Sequence, residues 1–118
     1  MIVKVQQAEW EQIQELRKRQ DYHAFSLGVL EWEFLKHRAD LFDVAGKPDL
    51  ERLGALQWEH DRKQTFWYEK ITSDEAAQKR IGEAALRAVG IDPAAGEFTI
   101  EEGVVMVLKQ GAWLPLER

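Results

Sequence analysis

His37 and His60 are the residues closest to a reactive constellation in this 118-residue chain. Glu33 lies one helical turn before His37, and Glu59 and Asp61 flank His60. Imidazole and carboxylate side chains facing one another between helices are the donor set of metal sites in helical bundles. A metal-dependent helical-bundle enzyme using His37, His60 and Glu33 is therefore the alternative functional reading. Against it, residues 59, 60 and 61 point in three directions on a helix. There is also no Glu-x-x-His pair and no His-Glu-x-x-His. The ordinary reading is of boundary polar residues making helix-side pairs. Nucleophilic chemistry is less supported still. Ser26 and Ser73 are the only serines, neither stands in a Gly-x-Ser-x-Gly elbow, and Ser73 suits a helix start. No phosphate loop or dinucleotide fingerprint occurs. With no cysteine, disulfides, thiolate catalysis and Cys-based zinc sites are excluded. No catalytic residue, metal or cofactor is assigned, and the chain is read as a non-enzyme.

Charge names no partner. The formal net charge is −5 with both signs interspersed. The densest basic cluster, Arg17-Lys18-Arg19, is flanked by Glu15 and Asp21. That pattern is a solvated helix face, and nucleic-acid binding is not expected. The run Met1-Ile2-Val3-Lys4-Val5 turns polar at Gln6-Gln7, too short for a signal peptide, and no later run could cross a membrane. A cytoplasmic location is the expectation.

These residues must be positioned by few elements. The expected fold is α+β and predominantly helical, one domain over 1–118. It comprises a strand at 1–6, a helix at 8–45, a helical segment at 49–89 and a β-hairpin with tail at 97–116. Ile2 to Val5 favour a strand by β-branching. From Ala8 to Ala45 no proline interrupts, and Gly28 is the sole glycine. One apolar stripe runs through Ile13, Leu16, Ala24, Leu27, Leu30, Phe34 and Leu41. A second runs through Tyr22, Phe25, Val29, Trp32, Ala39 and Phe42. A helix with two stripes must be covered on more than one side. Gly46 suits a left-handed helix stop and Asp49 a new N-cap, so the helices become antiparallel neighbours. Thr72 and Glu75 have capping-box spacing, leaving open either a break or one long second helix. The i,i+4 pairs Glu15/Arg19, Glu59/Lys63, Glu75/Lys79 and Glu83/Arg87 support both arms. Val89-Gly90-Ile91 before Pro93 reads as a Schellman stop.

Folding about Gly46 pairs positions whose numbers sum to about 95 and sets bulk against small residues. Trp67 meets Gly28, Leu41 meets Gly54, Leu56 meets Ala39, Ile71 meets Ala24, Ile13 meets Gly82 and Trp10 meets Ala85. Such contacts would account for helical glycines, each costing about 1 kcal/mol against alanine. The register also brings His37 level with His60. Turn signals at Glu101-Glu102-Gly103 and Lys109-Gln110-Gly111 separate short strands, which the hairpin returns to the N-terminal strand as a small antiparallel sheet.

The tip of that hairpin carries Asp40, Asp43, Asp49 and Glu51. A helical hairpin with an acidic tip resembles in outline the coiled-coil fingers of transcript-cleavage factors. The resemblance implies a tip that enters the RNA polymerase channel and helps hold a metal ion. Helix capping by Asp49, with acids in a helix's first turn, is the local reading of the same residues. In outline the hairpin with strands from both ends also resembles prefoldin-like chaperone subunits and short phage-encoded proteins.

Five tryptophans, Trp10, Trp32, Trp58, Trp67 and Trp113, cannot all lie in one two-helix seam. The expected partner-binding residues are Tyr22, Phe25, Val29, Trp32 and Trp113, because aromatic anchors dominate interfaces. The functional expectation is a non-catalytic interaction protein (an assembly factor, adaptor or regulator) that binds itself as a homo-oligomer, another protein, or both.

Overall fold

The computed structural model describes residues 1–118. Two long helices pack as an antiparallel hairpin, α1 over Gln7–Ala39 and α2 over Leu50–Ala88. They are followed by a 3₁₀ turn at Pro93–Ala95 and strands β1 (Phe98–Glu101), β2 (Val104–Lys109) and β3 (Ala112–Pro115). The α+β, mainly helical class expected from periodicity is the observed one. The helix α2 runs unbroken through Thr72, because i,i+4 support and apolar spacing continue on both sides of the capping-box signal.

The chain divides into two compact units. One comprises Met1–Lys18 with Asp74–Arg118, and the other Arg19–Ser73. Each helix contributes to both.

The first unit holds the core. Val3, Val5, Trp10, Ile13, Ala85, Leu86, Ile91, Ile100 and Val105 form one buried cluster. Its sheet is antiparallel in the order β1-β2-β3. Ile100 faces Val105 across one ladder, and Leu108 faces Trp113 across the other. Both hairpin loops have two residues with positive φ, Glu102-Gly103 and Gln110-Gly111. This is the mirror-image turn whose twist suits a two-residue hairpin. The N-terminal segment joins the sheet by isolated bridges, Ile2 with Glu117 and Lys4 with Val104, rather than as a full strand. The Val3 amide donates to the Leu116 carbonyl, and the Val105 amide donates to the Val3 carbonyl.

The second helix ends as expected. The Ile91 amide donates to the Leu86 carbonyl and the Gly90 amide to the Arg87 carbonyl, with Gly90 at φ 81°. This is the Schellman pattern, and the buried side chains of Leu86 and Ile91 complete its apolar contact. The first helix stops at Ala39, six residues earlier than expected. The Asp40 and Leu41 amides already bond three residues back, to His37 and Arg38. Asp43 Oδ1 then accepts from the Ala45 and Lys47 amides at 2.9 and 2.8 Å. A short acidic side chain that captures nearby amides competes with the helix, an effect the apolar spacing does not report. The loop closes where Phe42 bridges Pro48, and Asp49 Oδ1 accepts from the Arg52 amide at 3.2 Å as the α2 cap.

Gly90→Ala places a Cβ at a left-handed backbone position and should destabilise the protein by about 1 kcal/mol in urea unfolding. Gly82→Ala, in mid-helix with open space around the new Cβ, should stabilise it by up to about 1 kcal/mol. Changes of the same sign would contradict this assignment of the helix stop.

Candidate functional site

In the unit Arg19–Ser73 the helices meet along one seam. Half-buried positions recur at three- and four-residue steps, through Gln20, His23, Leu27, Leu30 and Phe34 on α1, with Leu41 just past its end. Their counterparts on α2 are Leu53, Leu56, His60, Gln64, Trp67 and Ile71. This is the repeat of a coiled-coil seam. Its middle is polar. Glu31 Oε1 accepts from Gln64 Nε2 at 2.8 Å and lies 3.2 Å from His60 Nε2. The His60 ring stacks on Phe34 with centroids 4.0 Å apart. His60 is the one buried residue of this unit, 6% exposed, and its Nδ1 has no hydrogen-bond partner.

The candidate metal residues lie around His60 without converging. His37, Glu33 and His60 all line a cavity of about 520 Å³, together with Leu30, Phe34, Leu56, Glu59 and Lys63. No three His, Cys, Asp or Glu side chains are grouped closely enough to hold a metal ion. His60 faces Phe34 and Glu31, a turn from His37, so the expected His37–His60 pairing is replaced by a ring stack. Glu59 is engaged by Lys63 at 3.0 Å, and that hydrogen bond, with the ammonium charge, holds its carboxyl below the usual range. At the hairpin tip Asp43 and Asp49 are occupied with backbone amides, as the capping reading requires.

The register holds where Glu31 meets Gln64 and Phe34 meets His60. Trp10 and Ala85 share the buried core cluster, but the contacts expected at the three helical glycines do not follow from the register. Trp67 packs against Tyr22 and His23, with centroids 6.4 and 5.8 Å away, and not on Gly28. A Cβ at Gly28, Gly54 or Gly82 would touch nothing within 4 Å. Gly28 is one residue past seam position Leu27, so it sits on the flank of the helix where α2 does not reach.

The second α1 stripe is exposed along its length. Tyr22 and Trp32 are each 62% exposed, Phe25 70% and Val29 37%. Phe25, Val29 and Trp32 stand two positions on from seam residues, about 200° around the helix, and therefore on the back of α1, while Tyr22 borders that face with its ring reaching the edge of Trp67. Ala39 and Phe42 continue the exposed side. The back of α2 differs. Trp58 lies under Arg62 and Phe66 under Lys70, each aromatic paired with a cation one turn on. On α1 Lys36 covers Trp32 in the same way, while Tyr22, Phe25 and Val29 have no such cover.

In the first unit Arg17 is fully engaged. It donates to the Ile100 carbonyl at 2.8 Å, pairs with Glu101 at 3.2 Å and lies over Trp10. Lys18 pairs with Glu15 at 3.6 Å. The basic cluster is thus largely spent on internal pairs. Trp113, 46% exposed, lines a cleft of about 530 Å³ with Ile13, Arg17, Gly82, Pro93 and Phe98. It belongs to the first unit, and the α1 stripe to the second.

The fold defines a class, a helical hairpin carrying a three-stranded antiparallel sheet. Comparison with known families, with curated proteins and with solved structures finds no match. No helix is long and apolar enough to cross a membrane. Glu31 and Gln64 were not singled out as site residues in the sequence. The available signal was the placement of Gln64 and His60 on the apolar repeat of α2, which marks a polar layer inside the seam.

An unpartnered ring nitrogen held away from water is costly. His60→Leu should therefore leave the unfolding midpoint unchanged or raise it, since Glu31 keeps Gln64 and solvent. A loss of 2 kcal/mol or more, about the size expected for breaking a satisfied buried polar network, would show that His60 is a structural anchor.

Proposed function

We propose that this chain is a non-catalytic interaction protein, an assembly factor, adaptor or regulator, that self-associates through the back of α1. One observation carries the reading. All ten buried apolar side chains lie in the sheet-bearing unit, and the unit Arg19–Ser73 has none. That second unit nevertheless exposes four large apolar residues at coiled-coil spacing, Tyr22, Phe25, Val29 and Trp32. Contiguous exposed apolar surface of this kind marks interaction sites, whereas apolar residues scattered singly do not. Trp32 and Tyr22 are also of the residue types that anchor interfaces. Trp113 belongs to the same reading as a second contact point on the sheet. The absence of cysteine accords with a reducing, cytoplasmic setting, which forms part of the proposal.

Native mass spectrometry and sedimentation of the purified chain test it. The wild type should run as a dimer or larger assembly at micromolar concentration. Phe25→Glu or Trp32→Glu should shift it to monomer, weakening association at least roughly tenfold, the effect of losing one interface anchor. Trp58→Glu, on the back of α2, should leave the mass unchanged. A wild-type chain that stays monomeric at all concentrations counts against self-association.

A further inference from the structure

We infer that the stripe on α1 is covered by α1 of a second copy, running antiparallel about a two-fold axis level with Leu27. The inference rests on self-association through this face and adds its geometry. Four features of the chain lead to it.

The first is symmetry in the stripe itself. In an antiparallel pair centred there, stripe positions facing each other have numbers that sum to 54, and the flanking positions on either side pair at sums of 52 and 56. Tyr22 then faces Trp32 of the second copy, and Phe25 faces Val29. Each of these four large exposed residues meets another, with Phe42 lying beyond the end of α1, so the patch is complementary to itself, as a two-fold interface requires.

The second is Gly28. It is helical, and a Cβ built there would meet nothing within 4 Å, so no contact within its own chain requires a glycine. In the antiparallel pair it lies beside the axis, facing Gly28 of the second copy, with Ser26 in the matching place on the other flank. A missing side chain at the centre lets two backbones approach closely, which gives this helix-weakening residue a use.

The third is charge. Arg19 and Glu33 flank the stripe at equivalent heptad positions, and neither forms a salt bridge in its own chain. Antiparallel packing sets Arg19 of each copy beside Glu33 of the other, twice by symmetry, and it brings Lys18, paired with Glu15, level with Lys36, which lies over Trp32. Parallel packing in register sets Glu33 beside Gly28 and Arg19 beside Gln14, with no ion pair at either place.

The fourth is area. Scaled by their exposure, the four side chains present roughly 500 Å² per copy, and two copies together reach the ~1,000 Å² that separates specific interfaces from incidental contacts.

The absence of cysteine makes the test direct, since any introduced thiol is unique. Ser26→Cys and Gly28→Cys, made separately in the full chain, are treated with a short bismaleimide alongside Leu35→Cys. All three variants are also weighed by native mass spectrometry. The antiparallel pair predicts efficient cross-linking at residues 26 and 28. It predicts none at 35, where the two thiols would be about 21 Å apart along the helices. Efficient cross-linking at 35 from a dimeric protein would overturn the antiparallel geometry while leaving self-association standing. Dimeric protein with no cross-link at 26 or 28 would also overturn it. A wild-type chain that stays monomeric at every concentration would remove the self-association on which the geometry rests.

Discussion

Two α-helices laid side by side share one line of contact, and each keeps more than half of its circumference outside it. A residue in such a seam is covered mainly from one direction, so most seam side chains stay partly exposed; in Arg19–Ser73 only His60 is buried. The structure depends on how this constraint is met in its two parts. Around Met1–Lys18 and Asp74–Arg118 a sheet supplies the third surface, and Trp10, Ile13, Ala85 and Leu86 become buried against Val3, Val5, Ile100 and Val105. In Arg19–Ser73 no third surface is present. Leu27, Leu30, Phe34, Leu53 and Leu56 remain half-buried although they sit in the seam.

The seam of that second unit adds little to offset the deficit. Gln20, His23, His60 and Gln64 occupy positions where an isolated hairpin would be expected to place leucine. Polar layers weaken a helical interface but fix its register, because Glu31 with Gln64 and His60 can be matched in only one alignment. Register is therefore specified by polar contacts, and under the proposed self-association cohesion comes from outside the seam. The back of α1 is the one face with the apolar spacing to do so.

Much of this was legible in the residues. The two helices, the turn between them, the Schellman stop at Gly90 and the two-residue hairpins all followed from local chemistry and spacing. The division of α1 into two stripes was equally plain, and the structure puts one in the seam and the other in the open. What failed was inference that needed side-chain direction. A register sum cannot say whether Trp67 reaches Gly28 or Tyr22 and His23, because one residue along a helix is a rotation of about 100°. Nor could periodicity foresee that Asp43 would draw the chain out of the helix after Ala39. His37, His60 and Glu33 are near one another in sequence register, yet a stacked Phe34 separates their chemistry.

The central claim is that the Arg19–Ser73 hairpin has no sufficient core of its own and is held by contact with another copy. Hydrogen exchange followed residue by residue over a dilution series tests it most directly. Amides in 19–39 and 50–73 should lose protection as the protein is diluted, while those of Trp10, Leu86 and Val105 keep theirs. Equal and concentration-independent protection in both units would contradict the account, for the hairpin would then be stable alone.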